Sequence, residues 1–155
     1  MAMTHYTIAI DRPSTHMMNV RATVSGRRGL LRLAMPVWTP GSYMVREYSQ
    51  FVQDVKVSAP DGTPVSWYQE DKRTWVVDTS GQECIHFDYR LYANQLTVRT
   101  NHVDDTHAFI CGAATFVEVE GEKESPSTVS LEMPEGWEVT TPLLQNEDGQ
   151  YQAND

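Results

Sequence analysis

Two short stretches of this 155-residue sequence carry side chains that could do chemistry. The first is HVDDTH, which places His102, Asp104, Asp105 and His107 within six residues. Imidazole and carboxylate groups so close together could bind a divalent cation. However, an interval of five residues between the histidines matches no known zinc motif and no single helix face. The sequence therefore favours a polar loop between strands and predicts no metal site.

The second stretch is MPVWTPGSYMVREYSQ, residues 35–50, in which three aromatic side chains and an Arg46–Glu47 pair surround a Pro-Gly break. A turn alone needs only glycine, proline and small polar residues. One interpretation is a bend that closes the core, with Trp38 and Tyr43 buried and the charged pair contributing little. The other is an interface, because aromatic residues and arginine are enriched where surfaces dock. The residues alone leave both interpretations open.

A similar mixture of charged and aromatic side chains recurs in LTVRTNHVDDTHAF, with Arg99, His102, Asp104 and Phe109. No other segment forms an active site by itself. The sequence has no Gly-x-Ser-x-Gly elbow, no phosphate-binding loop and no His-Glu-x-x-His. We therefore assign no catalytic residue to the chain.

The elements that must position these side chains are strands. Apolar and polar residues alternate in YTIAI, VRATV, LLRLAM, IHFDYRLY and TVSLEM, and WEVTTPL shows a weaker version. Alternation with period two is typical of half-buried strands. Turn signals separate these runs at short intervals. The pattern predicts an all-β domain, an antiparallel β-sandwich or strongly twisted double sheet, with at most one short helix of no more than two turns after Ser42.

The charge distribution narrows the function classes. Residues 1–99 carry 11 Lys/Arg against 9 Asp/Glu, whereas residues 100–155 carry one lysine against 12 acids. An acidic chain lacks the basic face that phosphate contacts require, which argues against nucleic acid as a partner. No apolar run is long enough for a membrane span, and the start lacks a signal-peptide core. These features predict a cytoplasmic protein that does not bind membranes.

Several blocks together are similar to one known family. They are MPVWTPGSYMVREYSQFVQDVKV, DKRTWVV, YRLYANQLTVRTNHVDDTHAFICG and PEGWEVTTPL, in this order. They resemble the N-terminal β domain of the glycyl aminopeptidases, which are zinc metallopeptidases with a thermolysin-like catalytic domain and usually a PDZ domain. The resemblance covers the chain from Tyr6 to Tyr151.

The resemblance implies that residues 1–155 are a single N-terminal β domain of a larger enzyme whose catalytic and PDZ domains are not in this sequence. Zinc would belong to the catalytic domain of the parent enzyme, and the domain itself would be inactive. Its partners would be that catalytic domain and the peptide substrate. By analogy with related aminopeptidases, Glu47 is the first candidate and Asp104 the second for contacting the substrate's α-ammonium group.

The candidates for the substrate cleft or the domain interface are Trp38, Pro40, Gly41, Ser42, Tyr43, Arg46, Glu47, Tyr48, Arg99 and Asp104. The alternative function is a free-standing β-sandwich that binds a protein or a carbohydrate through the Trp38–Tyr48 surface.

Overall fold

The computed structural model describes residues 3–26, 29–37, 46–79, 81–97, 100–122 and 125–153. Within these ranges the chain is mostly strand, with one α-helical turn, α1 (Gly112–Thr115), and 3-10 turns at Pro13–Thr15 and Tyr48–Phe51. The strands are β1 (Met3–Ala9), β2 (Met17–Ser25), β3 (Leu30–Ala34), β4 (Val52–Ser58), β5 (Trp67–Gln69), β6 (Thr74–Asp78), β7 (Cys84–Tyr92), β8 (His102–Val103), β9 (Ala108–Phe109), β10 (Glu118–Val119), β11 (Ser127–Glu132), β12 (Leu144–Gln145) and β13 (Tyr151–Ala153). No helix in the described ranges is long and apolar enough to cross a membrane.

The strands form two main sheets and a hairpin. The large sheet has the order β12-β13-β11-β1-β2-β7-β4, and the small sheet has the order β10-β3-β6-β5. Strands β8 and β9 pair with each other, and an isolated bridge joins His102 of β8 to Asn94. All strand pairs are antiparallel except β1 with β11, which is parallel. The all-β fold class predicted from the sequence is confirmed, with this parallel pair as an addition.

The core lies between the sheets and contains the apolar side chains that the alternation predicted. In β7, the inward residues Ile85, Phe87, Tyr89 and Leu91 are each at most 1% exposed. The Phe87 ring packs edge-on against Trp75 of the small sheet, with ring centroids 5.8 Å apart. This contact joins the two sheets. Aromatic side chains bury a large apolar area each, so they contribute strongly to the hydrophobic stabilisation of the core.

The short helical elements differ from the prediction in place and length. Residues 48–51 form a single 3-10 turn and β4 follows directly at Val52, so the apolar spacing after Ser42 yields one turn at most in the described part. The α-helical turn lies instead at Gly112–Thr115, where no amphipathic pattern announces it. The weak strand expected in WEVTTPL is absent, and residues 137–143 run as turns and irregular backbone.

Two buried tyrosine hydroxyls connect the end of α1 and the residues that follow it to the large sheet. Tyr6 donates to the carbonyl of Val117 at 2.7 Å, and Tyr89 donates to the carbonyl of Thr115 at 2.5 Å. The Val117 amide donates back to the Tyr89 hydroxyl at 3.2 Å. Burial raises the pKa of both phenols, and the negative charge of Glu118 raises the pKa of Tyr6 further. Both hydroxyls therefore keep their protons and remain donors.

We expect Tyr89→Phe to lower the free energy of unfolding by about 1–3 kcal/mol, because it leaves a buried carbonyl and a buried amide without their partner. Urea unfolding followed by tryptophan fluorescence measures the change. Tyr68→Phe is the matched control, since Tyr68 is 53% exposed. A Tyr89→Phe variant as stable as this control would show that the hydroxyl does not hold the segment.

Candidate functional site

The structure describes four of the ten predicted site residues. Arg46, Glu47 and Tyr48 lie at the start of the Tyr48–Phe51 turn, and Asp104 lies in the β8–β9 hairpin. The other six lie outside the described residues: Trp38, Pro40, Gly41, Ser42, Tyr43 and Arg99.

Tyr48 belongs to the core. Its side chain is 2% exposed and is among the largest fully buried side chains of the described chain. A side chain packed in this way cannot contact a partner, so we leave Tyr48 out of the proposed site. Its burial does anchor the turn and thereby fixes where Arg46 and Glu47 emerge.

Arg46 and Glu47 stand at the surface side of this anchored turn. The Arg46 amide donates to the carbonyl of Val37 at 2.6 Å, and its Nε is buried without a hydrogen-bond partner in the described chain. Glu47 is exposed, and its carbonyl accepts from the Gln50 amide at 3.1 Å. Its carboxylate is therefore displayed to solvent beside a half-buried arginine.

A buried asparagine organises the neighbouring segment. Asn101 is 6% exposed, its Oδ1 accepts from the Cys111 amide at 2.7 Å, and its Nδ2 donates to Thr115 Oγ1 at 3.0 Å. Thr115 Oγ1 also donates to the Cys111 carbonyl at 2.8 Å. A buried polar network is stabilising only when its members are satisfied, and here the amide of Asn101 satisfies both ends of α1. Nothing in the sequence pattern distinguishes Asn101 from an ordinary loop asparagine.

The two segments that the sequence singled out meet at this point. The Tyr48–Phe51 turn packs against α1. A small cavity between them is lined by Phe51, Tyr92, Asn101 and Ala114. The fold therefore brings the turn that carries Glu47 next to the segment that begins at Asn101, although the two are about 50 residues apart in sequence.

Asp104 is already engaged within its own hairpin. Its Oδ1 accepts from the amide and hydroxyl of Thr106 at 2.7 and 2.6 Å, and its Oδ2 contacts His102 Nε2 at 2.8 Å. The Thr106 hydroxyl and then the His102 ring lower the pKa of the Asp104 carboxyl. Because these contacts hold the Asp104 carboxylate within its own hairpin and Glu47 is exposed, Glu47 is the better candidate for contacting a substrate ammonium group.

A wide apolar groove of about 750 Å³ borders the β8–β9 hairpin, and His107 and Phe109 are among the residues that line it. Its walls come from β9, from β11 with Met133, and from the irregular segment 137–143. The large hydrophobic side chains most exposed there are Phe109 at 41%, Val139 at 41% and Leu143 at 38%. The weak alternation in WEVTTPL predicts a strand, so this groove was not expected from the sequence. The apolar residues Trp137 and Leu143 in that segment were the signal from which an apolar surface could have been predicted.

These features define an all-β domain with an exposed Glu47 beside α1, a polar β8–β9 hairpin and an apolar groove. Its sequence contains no catalytic motif. Residues 5–155 match the peptidase M61 N-terminal domain, and the chain belongs to that family.

A solved structure of high similarity agrees with this assignment. The chain is 25% identical to the aminopeptidase N family protein of Idiomarina loihiensis, with a TM-score of 0.92 over 99% of this chain and 27% of that chain. It thus spans about a quarter of that protein's length. An M1 zinc metallopeptidase of Deinococcus radiodurans, bound to a Tyr-Ser-Ala substrate, aligns over 97% of this chain and 38% of its own. Its identity of 14% and TM-score of 0.48 are too low to support an argument. No curated protein matches the sequence.

We expect Asn101→Ala to cost about 1–3 kcal/mol, because the Cys111 amide and the Thr115 hydroxyl lose a buried partner. Amide hydrogen exchange in residues 111–115 should accelerate more than exchange in β7. Asn94→Ala is the control, since among the described residues the one hydrogen bond of that exposed side chain is to the Tyr92 hydroxyl, at 3.2 Å. Equal exchange in both variants would mean that the asparagine does not organise α1.

Proposed function

We propose that this chain is the non-catalytic N-terminal domain of a zinc-dependent aminopeptidase that releases N-terminal glycine or alanine. The observation that carries the proposal is the family match over residues 5–155. The sequence has no His-Glu-x-x-His, the motif that supplies two zinc ligands and the general base. The catalytic zinc therefore has no ligands that we can assign on this chain and would be held by a separate catalytic domain of the same polypeptide. A PDZ domain and a cytoplasmic location are part of the same proposal.

The apolar groove is the surface that we propose for docking on the catalytic domain. Three large apolar side chains on its rim, Phe109, Val139 and Leu143, are each more than a third exposed. Monomeric proteins rarely leave large contiguous apolar surfaces in water, and those that do usually cover them with a partner. A partner domain in the same polypeptide suits such a surface, because linkage within one chain raises the effective concentration of the two domains.

Glu47 is the group that we propose for the substrate cleft. An aminopeptidase must recognise a free α-ammonium group, and a carboxylate that accepts a charge-assisted hydrogen bond is suited to that task. The exposed Glu47 meets this requirement, and the buried Tyr48 beside it limits the movement of its backbone. Arg46 would brace the cleft wall.

The test is Glu47→Gln in the parent enzyme, which keeps the shape of the side chain and removes its charge. A lost charge-assisted hydrogen bond costs about 1.5–3 kcal/mol, so we expect kcat/KM on glycyl peptides to fall by roughly 10–100-fold, mainly through a higher KM. Glu135→Gln, an exposed glutamate in the turn before Trp137, is the control and should leave the kinetics unchanged. Unchanged KM and turnover in Glu47→Gln would remove Glu47 from the proposed cleft.

The alternative, a free-standing module that binds a protein or carbohydrate through the Trp38–Tyr48 surface, has less support. Tyr48 is the aromatic residue of that surface that the structure describes, and it is buried. A parent gene that encodes no peptidase domain would favour this alternative.

A further inference from the structure

The β8–β9 hairpin gathers potential metal ligands that the sequence spacing appeared to separate. His102 pairs with Phe109, and the Asp104 amide bonds the His107 carbonyl at 3.0 Å across the hairpin end. Residues 102 and 104 share a strand face because side chains alternate, and residue 107 lies opposite residue 104. The interval of five residues, unsuitable for a helix, therefore places both histidines and Asp104 on one face of a hairpin.

The distances between these groups suit one shared cation. One nitrogen or oxygen atom from each of His102, Asp104 and His107 lies within 4.8 Å of the others. His102 Nε2 is 2.8 Å from Asp104 Oδ2, and His107 Nδ1 is 3.4 Å from Asp104 Oδ1. In a tetrahedral zinc site with bonds near 2.1 Å, ligand atoms are about 3.3 Å apart. Adjustments of about 1 Å, mostly by the exposed His107, would complete such a geometry.

The surroundings of His102 show which of its two ring nitrogens faces the other members of the cluster. Its side chain is 13% exposed, and its Nδ1 is buried without a hydrogen-bond partner in the described chain. The polar contact of the ring is thus made on the Nε2 side, which faces Asp104. Thr106 holds the other carboxylate oxygen, as the supporting groups around metal ligands commonly do.

We propose that His102, Asp104 and His107 form a binding site for a divalent transition-metal ion of the zinc class. Two imidazole nitrogens and one carboxylate oxygen favour zinc and its neighbours over magnesium or calcium, which prefer oxygen ligands alone. Three protein ligands leave a coordination position for water. This proposal rests on the hairpin residues alone and does not depend on the proposed function.

The test is isothermal titration of the untagged, metal-free 155-residue chain with zinc chloride, because no catalytic zinc motif is present to interfere. We expect one zinc ion per chain in wild type and at least a tenfold weaker affinity in His107→Ala, whose exposed side chain can be removed without disturbing the core. Cobalt(II) should give visible absorption bands in wild type that His107→Ala loses, and magnesium should not compete.

His86→Ala is the matched control, because His86 bonds Thr23 on the large sheet, outside the hairpin. It should bind zinc like wild type. The proposal is overturned if wild type takes up no zinc, if His107→Ala binds as tightly as wild type, or if His86→Ala weakens binding to the same degree. Circular dichroism of each variant verifies the fold, and Asp104→Asn provides a second test through a different ligand.

Discussion

The arrangement of this domain depends on a set of buried hydrogen bonds to the segment between Asn101 and Val117. Tyr6 and Tyr89 reach it from the large sheet, and Asn101 holds α1 from within the segment itself. The segment has few main-chain partners in either sheet, so these side chains satisfy the polar groups that its burial would otherwise leave unpaired. Each bond contributes only about 1 kcal/mol in net terms, but leaving its partner unsatisfied costs more.

These hydrogen bonds fix the positions of the two candidate sites. Because the segment is fixed at α1, the Tyr48–Phe51 turn can pack on it, and Glu47 emerges at a defined corner. The same segment carries the β8–β9 hairpin, whose one face gathers two histidines and a carboxylate and which also borders the apolar groove. The proposed function requires Glu47 to be held rigidly, because a displacement of about 1 Å in a substrate-positioning group can greatly slow a reaction.

The strands could be read from the sequence because burial on one sheet face produces alternation, and IHFDYRLY shows it without interruption. The resemblance in residues 35–57 and 89–112 indicated the N-terminal domain of a peptidase, and the match of residues 5–155 to the peptidase M61 N-terminal domain confirms that part of it. The site was harder to predict. Tyr48 looked like an interface aromatic because residue type does not reveal burial, and Asn101 gave no signal because its role depends on partners 10 and 14 residues away. The sequence predicts no metal site because the spacing of the histidines fits neither a zinc motif nor a helix face, whereas the site that we propose depends on the geometry of a hairpin.

The central claim is that this chain completes a catalytic centre carried by other sequence. The most direct measurement is hydrolysis of glycyl-p-nitroanilide with added zinc, by the purified 155-residue chain alone and mixed with the separately purified remainder of the parent polypeptide. The account predicts no turnover by the chain alone, and turnover by the mixture above that of the remainder alone. Zinc-dependent turnover by the 155-residue chain alone, or full activity of the remainder without it, would contradict the account.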